Sequence, residues 1–308
     1  ASQDADVGSH DPHATFVDGE DYYLLGEKER LAIGIPHVDL TVLTHWNGLM
    51  AESYLKVYQA LGDERARDFA LKTLDMLYVT RYRKGAGIAH YFAHGKPQQS
   101  GLLVDQVAFA RALIEAYVVT ADRSYLQKAE MIVADMHALL EDKTAGGFFD
   151  MAFDPDAKGM LLRPEKPTIE NARAAMLLSE LYYFTENAMY KNGAERTLQY
   201  LLGTRSPYPP ALGALAVDRY LNYPLHIVVV GEKKEQTTQR LWHESLRVYA
   251  PGKTVMLLDP STDELAIGEV TFPKLSQPAA YVCTDLLCSK PIEKPGELRE
   301  SLKRFLAA

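Results

Sequence analysis

Apolar positions along the chain recur with a helical period in three stretches that can be superimposed without gaps. When Trp46, Asp105 and Glu170 are set as equivalent starts, alanine follows five and twenty-four residues later in every stretch, and tyrosine follows twelve residues later. A repeat of about 60 residues is typical of stacked supersecondary units, which cannot bury their apolar faces alone. The pattern therefore predicts an array of similar helical units.

Each unit is predicted to be a pair of helices joined by a tight turn. Ala51, Leu55 and Tyr58 follow the spacing of a helical stripe. Seventeen residues into each unit stands a side chain typical of an N-cap, because it accepts hydrogen bonds from the unpaired amides of a following helix. The first helix also carries apolar residues off its stripe, such as Met50 and Phe109, so we predict that it is the inner helix. The three caps are Asp63, Asp122 and Asn187.

The hydrophobic period changes in the last third of the chain. Long connections at 84–101 and 144–167 indicate loops folded over one rim, and a fourth inner-type helix is predicted at 210–221. After that helix, continuous apolar runs predict buried strands, separated by amphipathic segments. The strands are predicted at 227–230, 255–258 and 279–283, and the helices at 232–249 and 295–306.

The predicted fold class is mainly α, a partial (α/α) array of about three and a half hairpins followed by a small parallel βαβ unit. We divide the chain into a flexible lead-in at 1–21, the hairpin repeat at 22–222 and the α/β unit at 223–308. His10 and His13 lie in the lead-in without a nearby third ligand, so we predict no metal site there.

Composition excludes several functional classes. Lys and Arg total 33 against 41 Asp and Glu, a net charge of -8, so nucleic acid and anionic membrane surfaces are poor partners. No apolar run approaches the roughly 20 residues that span a bilayer, so we expect no membrane insertion. Gly231 is followed by Glu232 and two lysines rather than further glycines, which excludes a phosphate loop or dinucleotide fingerprint at that strand. We therefore expect no cofactor.

Three motifs resemble those of a known family. Residues 39–50 read Asp-Leu-Thr-Val-Leu-Thr-His-Trp-Asn-Gly-Leu-Met, residues 146–148 read Gly-Gly-Phe, and residues 280–283 read Ala-Tyr-Val-Cys, with Cys288 and Pro291 behind them. These are similar to motifs in the C-terminal part of the spermatogenesis-associated, thioredoxin-domain-containing protein family, whose function is poorly defined. The resemblance extends over about residues 22–308. The sequence departs from the family pattern at Thr41, Gln106 and 169–170, which indicates a divergent branch.

The resemblance implies a six-hairpin (α/α) toroid, an architecture that the family shares with glycosidases and sugar epimerases. The hairpins predicted here are too few to close such a ring, and the family's thioredoxin-like domain is not found in the sequence. Our first hypothesis is therefore a structural or interaction subunit. Its inner helices would be covered by a protein partner, either the other half of the toroid or a separate chain, with a thioredoxin-like domain as one option.

The second hypothesis is a carbohydrate-active enzyme of the glycosidase or sugar 2-epimerase type. In toroids of this kind, polar residues at one end of the inner helices line a central cleft. Asp105 and Glu170 would supply the acid–base pair. The alternative is that these polar residues cap helices and tie down loops, and that Trp46 is a core aromatic. Besides the two carboxylates, the candidate ligand-binding residues are Trp46, Asn47, Gln106 and Asn171.

Two cysteines suggest a third hypothesis, a thiol-redox partner. Cys283 and Cys288 have four residues between them, a spacing that fits neither a thioredoxin motif nor a zinc site, and structural thiols or one local disulfide are the alternatives. The compartment stays open. The family resemblance implies the cytoplasm, whereas a chain that opens with Ala1 rather than Met is also what a signal peptidase would leave.

Overall fold

The computed structural model describes residues 18–34, 40–204, 210–284 and 288–307, which belong to two compact units with a boundary between Val42 and Leu43. The first unit contains helices α1 (Gly19–Leu24) and α2 (Glu27–Ile33). The carboxylate of Asp18 caps α1 by accepting from the amide of Glu20. A helix thus begins inside the predicted lead-in, and the histidines His10 and His13 lie outside the described residues.

The second unit opens with three helical hairpins, as the repeat predicts. In each hairpin the side chain of the predicted cap accepts a hydrogen bond from the amide two residues later, as Asp63 does from Arg65. The predicted caps and turn positions are therefore confirmed. The helices are α3 (Thr44–Leu61) with α4 (Glu64–Arg81), α5 (Leu103–Thr120) with α6 (Arg123–Leu140), and α7 (Thr168–Thr185) with α8 (Ala188–Gly203).

Inner and outer helices differ in burial. Helices α5 and α7 are buried on nearly every side, and Phe109 in α5 is completely inaccessible. Helix α4 buries one stripe only, formed by Ala70, Leu74 and Leu77. The inner helices pack closely, because a Cβ on Gly48 of α3 would stand 3.1 Å from the backbone of Ala108. The assignment of inner and outer helices is therefore confirmed for these elements.

The two rim connections differ from each other. Residues 82–100 form an antiparallel sheet rather than a loop, with strands β1 (Tyr82–Arg83), β2 (Gly87–Ala93) and β3 (Lys96–Ser100). The connection at 141–167 is mostly irregular and holds one short 3-10 turn. Ion-pair and backbone contacts of Asp142 hold it, since this carboxylate accepts from the Thr144 amide and from Lys166. The rim is therefore built partly from strand.

The remaining chain forms the helix predicted at 210–221 and the α/β unit. The inner type predicted for that helix is not confirmed, because Leu215 and Leu221 are exposed and Ala216 is the one buried residue among its described side chains. The parallel βαβ unit is present, and its helix is shorter than the predicted 232–249. The third predicted strand, at 279–283, pairs antiparallel rather than parallel with the first, at 226–230. The result is a mixed sheet with the 226–230 strand at its centre. The elements are α9 (Pro210–Leu221), β4 (His226–Val230), α10 (Gln236–Arg247), β5 (Thr254–Leu258), β6 (Ala266–Ile267), β7 (Val270–Thr271), β8 (Ala279–Cys283) and α11 (Pro295–Ala307).

The α/β unit packs against the C-terminal ends of the inner helices. The Lys233 ammonium donates to the carbonyl of Ala121, the residue after α5, at 2.8 Å, and Arg123 pairs with Asp263 at 3.4 Å. The rings of Tyr58 and His243 meet edge to face. The N-terminal ends of the inner helices therefore lie at the opposite end of this unit. Searched over the described residues, the structure offers no helix of the length and apolarity that a membrane crossing requires.

His226 in β4 predicts a pH-dependent stability. Burial lowers the pKa of His226 from 6.5 to about 4, and its Nε2 atom has no hydrogen-bond partner. Because the unfolded chain binds the proton more tightly, stability is full above pH 6.5 and falls as the pH drops towards 4. We expect a loss of about 3 kcal/mol over that window. Denaturant unfolding at several pH values should show this fall in the free energy of unfolding in wild type and in His94→Asn, an exposed control. His226→Leu should not show it. An equal dependence of the free energy of unfolding on pH in all three proteins would contradict this role of His226.

Candidate functional site

The N-terminal ends of α3 and α5 meet at a buried carboxylate. Asp105, the third residue of α5, is completely inaccessible, and its Oδ1 accepts a hydrogen bond from the His45 amide at 3.0 Å. Helix α3 has no side-chain cap of its own. Asp105 therefore does for a neighbouring helix what a local cap would do, because a carboxylate at a helix N-terminus pairs with unsatisfied amides and with the positive end of the dipole.

Two histidine rings face the same carboxylate. Nδ1 of His90, which strand β2 carries, lies 2.9 Å from Oδ2 of Asp105, and Nδ1 of His45 lies 3.7 Å from Oδ1. The two imidazoles are stacked, with ring centres 5.6 Å apart and planes 10° apart. Nδ1 of His45 is buried and has no hydrogen-bond partner. The three residues form what we call the histidine–aspartate cluster.

Arg81 and Thr44 hold the backbone around the cluster. Nη1 of Arg81 donates to the Thr44 hydroxyl at 2.8 Å, and that hydroxyl donates to the carbonyl of Ala89. The same Nη1 lies 3.4 Å from the carbonyl of His90. The end of α4, the start of α3 and strand β2 are thereby joined, which fixes the direction from which His90 approaches Asp105.

Burial and charge oppose each other in the cluster. Burial raises the pKa of Asp105 to about 6, although the charge and hydrogen bond of His90 act in the other direction. Burial also lowers the pKa of His45, and the positive charges of His90 and Arg173 add to that effect. A carboxylate flanked by two imidazoles is suited to moving a proton or to holding a cation.

Two of the three carboxamide side chains hold the rim connections in place by bonding to their backbone. The Gln106 side chain donates to the carbonyl of Ile88 at 2.8 Å and accepts from its amide at 2.9 Å. Asn171 does the same with Phe148, donating at 2.9 Å and accepting at 2.7 Å. Each side chain thus pairs with both backbone groups of one buried residue in the connection before its own helix. The carboxamides make no hydrogen bonds to one another in the described part of the chain.

The first unit lacks the backbone contact that the other two units make at this position. Asn47 donates to the carbonyl of Leu43 at 2.8 Å, as Gln106 does to Leu102 and Asn171 to Pro167, but its oxygen accepts nothing from the described residues. The interpretation of Trp46 as a core aromatic is wrong, because 63% of its surface is exposed. Met50 and Leu61 on the same face of α3 are exposed as well in the described structure.

Glu170 lies beside a cleft rather than beside Asp105. The cleft has a volume of about 230 Å³, and its polar lining includes Glu170, Arg173, Arg111 and Glu52. The side chains of Glu170 and Arg173 make no hydrogen bond or close ion pair with any other described residue. The two carboxylates that the sequence suggested as an acid–base pair belong to different groups of side chains in the described structure. Asp105 belongs to the histidine–aspartate cluster, and Glu170 faces the cleft.

A network of charged side chains joins α3 to α5, and Glu52 and Arg111 of this network also line the cleft. Glu52 accepts from Lys56 at 2.5 Å and from Arg111 at 3.0 Å, while Glu115 accepts from Gln59 at 2.6 Å. Burial alone would favour neutral Glu52, but Arg111 and Lys56 outweigh it and hold the pKa of Glu52 at about 2. Burial raises the pKa of Glu115 to about 7 against the opposing charge of Lys56. The contact between α3 and α5 therefore includes charged side chains as well as apolar ones.

The two cysteines are joined in a disulfide. Cys283 is buried at the end of β8, Cys288 is exposed, and their Cα atoms lie 4.0 Å apart. The bond closes a small loop next to the sheet edge, whose residues 285–287 are outside the described ranges. A role as a redox partner stays a prediction.

His45 and His90 were missed as candidate site residues in the sequence. His45 precedes Trp46 and lies within the motif at 39–50, but its position there gives no sign of a carboxylate partner. His90 lies in a connection that was expected to be a loop, 15 residues before Asp105. Only the pairing of β2 with the start of α5 brings these groups together, and no spacing rule reports such a contact.

Comparisons with known proteins support the family resemblance. No family model matches the sequence. The chain is 25% identical to human spermatogenesis-associated protein 20 over 289 residues, which is 87% of this chain and 36% of that protein. It is 23% identical to the mouse protein of the same name, over 86% of this chain and 36% of that protein. The predicted resemblance is confirmed over most of the chain, while a thioredoxin-like domain is not shown. The chain spans little more than a third of the length of these relatives.

Solved structures of helical toroids are similar to part of the chain. A sugar epimerase from a ruminal bacterium has a TM-score of 0.49 at 14% identity, covering 60% of this chain and 56% of its own. An inactive variant of an α-1,6-mannanase of Salegentibacter, in complex with α-1,6-mannotriose, has a TM-score of 0.48 at 14% identity, covering 67% of this chain and 57% of its own.

Proposed function

We propose that this chain is an interaction module in which the open side of α3 binds a further helical hairpin of the same repeat type. The observation that carries the proposal is an exposed apolar stripe on an inner helix. The open α3 face, as we call it, has exposures of 63% at Trp46, 55% at Met50 and 74% at Leu61. It consists of Trp46, Met50, Tyr54, Val57 and Leu61.

The neighbouring repeat shows what an inner helix looks like when both sides are covered. Helix α5 packs between α3 and α7 and exposes no large apolar side chain along its described length. Helix α3 packs on α5 at one side and leaves the equivalent opposite side in solvent. The stripe continues onto the outer helix, because the ring of Tyr54 meets exposed Phe69 of α4 edge to face at 5.5 Å. A contiguous apolar patch of this kind marks an interaction surface.

The register of the repeat favours a hairpin as the occupant. Gln106 and Asn171 each pair with a backbone segment, whereas Asn47 offers the same groups at the same position with its oxygen free of described partners. A docked unit of the same type would supply both an apolar helix for the stripe and a backbone segment for Asn47. The curated relatives are long enough to contain further units, since this chain spans 36% of the human protein.

The proposal predicts that the open α3 face binds an apolar fluorescent dye. Met50→Glu combined with Val57→Glu should lower dye binding several-fold without lowering the unfolding midpoint, because both residues are exposed in a helix. The matched control is Met189→Glu with Leu202→Glu on α8, two other exposed apolar residues. Equal dye binding by wild type and the α3 variant would contradict the proposal, as would an equal loss in the α8 control.

A carbohydrate-active enzyme is the second candidate function. The specific observation in its favour is the cleft, where Glu170 and Arg173 lack close partners among the described residues and can meet a polar ligand. A panel of glycosides and free sugars should then include one that wild type converts. Glu170→Gln should lower that rate at least ~100-fold, whereas exposed Glu165→Gln should not. No conversion by wild type, or full activity of Glu170→Gln, would exclude this role for Glu170.

A further inference from the structure

The histidine–aspartate cluster has a donor set that suits a divalent metal ion. Each of the three side chains offers one ligand atom, and these atoms lie within 4.8 Å of one another. Two imidazole nitrogens and one carboxylate oxygen are ligands typical of Zn²⁺ and of related transition-metal ions. The donors come from three different elements, α3, β2 and α5, which fixes their mutual positions without any sequence motif.

The distances are close to those that a tetrahedral ion requires. With metal–ligand bonds of about 2.0–2.1 Å, two ligands of a tetrahedral Zn²⁺ lie about 3.3 Å apart. The two separations from one carboxylate oxygen, Oδ1 of Asp105, are 3.2 Å to Nδ1 of His90 and 3.7 Å to Nδ1 of His45, and they lie on either side of that value. Shifts of a few tenths of an ångström in the histidine rings would equalise them. Among the described residues, Nδ1 of His90 bonds to Asp105 alone and Nδ1 of His45 bonds to no group, so no other hydrogen bond to these two nitrogens opposes such a shift.

One buried atom in the cluster lacks a partner. Nδ1 of His45 is shielded from solvent and makes no hydrogen bond, which is costly for an imidazole nitrogen in a partly buried site. A metal ion would satisfy this atom directly. Oδ1 of Asp105 would keep its bond from the His45 amide, and that bond would orient the carboxylate as an outer-shell contact does in metal sites.

We propose that His45, His90 and Asp105 bind one divalent transition-metal ion of the zinc class. Three protein ligands leave the fourth tetrahedral position open, which is the arrangement of catalytic rather than structural sites. Arg81 and Arg173 face the cluster from α4 and α7, so their charges weaken cation binding and favour an anionic fourth ligand. The site uses none of the residues of the open α3 face as a ligand and therefore goes beyond the proposed function.

Titration calorimetry with Zn²⁺ alone, on the chelator-treated 308-residue chain, tests this proposal. Wild type should bind one Zn²⁺ per chain. His45→Gln and His90→Gln, each with an intact helical signal by circular dichroism, should bind at least ~10-fold more weakly. Exposed His94→Asn is the matched control and should bind as wild type does, as should the Met50→Glu/Val57→Glu variant.

A second readout separates the cluster from other surface histidines. Co²⁺ in place of Zn²⁺ should give the visible absorption of a tetrahedral ion, and His45→Gln should lose or shift that absorption while His94→Asn keeps it. The proposal is overturned if wild type binds no Zn²⁺, or if His45→Gln and His90→Gln bind it as tightly as wild type. Neither outcome bears on the open α3 face, which is tested by dye binding.

Discussion

Replacing Asn171 by Leu should lower the free energy of unfolding by about 2–6 kcal/mol. The amide and carbonyl of Phe148 are both buried and both pair with the Asn171 side chain, at 2.7 and 2.9 Å. Leucine has a similar size but no polar atoms, so both backbone groups would lose their partner inside the protein. Each unsatisfied buried group costs about 1–3 kcal/mol. Equilibrium denaturation with urea measures the loss.

Asn47→Leu is the matched control for that substitution. It occupies the same position of the repeat but makes one described side-chain bond, to the carbonyl of Leu43. We expect its cost to stay below about 1 kcal/mol, as for most partly exposed side chains. Hydrogen exchange adds a local readout, since the Phe148 amide should lose protection in Asn171→Leu alone. Equal losses of stability for the two variants would contradict the role of Asn171 as a rim anchor.

Arg111→Met should cost about 3–5 kcal/mol at pH 7, because it leaves the Glu52 carboxylate buried with one cation fewer. Glu52 is 7% exposed, and Arg111 is the first of the two cations that hold its pKa at about 2. Methionine fills similar volume without charge. The comparison variant is the double change Glu52→Gln with Arg111→Met, which removes both charges and should recover most of the stability.

The sign of the pH effect gives a sharper test of the Arg111 prediction. In wild type, the depressed pKa of Glu52 stabilises the fold above pH 4.5, and that contribution is lost as the pH falls towards 2. In Arg111→Met the pKa of Glu52 rises, so protonation relieves the buried charge well before pH 4. The stability difference from wild type should therefore shrink between pH 7 and pH 4. A difference that stays constant over this range would show that lost packing, rather than charge, is the cause.

The helical repeat could be predicted because its causes are local. Caps such as Asp63 and Asp122 act on amides two residues away, and the apolar period follows from helix geometry. For the same reason the helix at 210–221 was predicted with the bounds that the structure has. These features need no knowledge of the other units.

Features that depend on distant pairing could not be predicted. An apolar run such as 279–283 is typical of a buried strand but carries no sign of its direction, and the structure places it antiparallel to β4. The connection at 84–101 contains β2, whose pairing with β1 and β3 brings His90 to Asp105. The histidine–aspartate cluster therefore exists only after three elements have packed.

Trp46 shows the limit of composition arguments. A tryptophan beside an apolar stripe is most often a core residue, yet here it is 63% exposed in the described structure. The sequence of a repeat reports which faces are apolar but not which of them are covered within the chain. That distinction leads to the proposed interaction module, since the exposed stripe repeats a pattern that is buried on α5.

Light scattering coupled to size exclusion, run over a range of concentrations, tests the central claim most directly. We expect wild type to self-associate reversibly as concentration rises, because the open α3 face is exposed in the described structure, and Met50→Glu/Val57→Glu to be monomeric. The α8 control variant should behave as wild type does. A wild-type chain that stays strictly monomeric at every concentration and unfolds cooperatively would contradict the account.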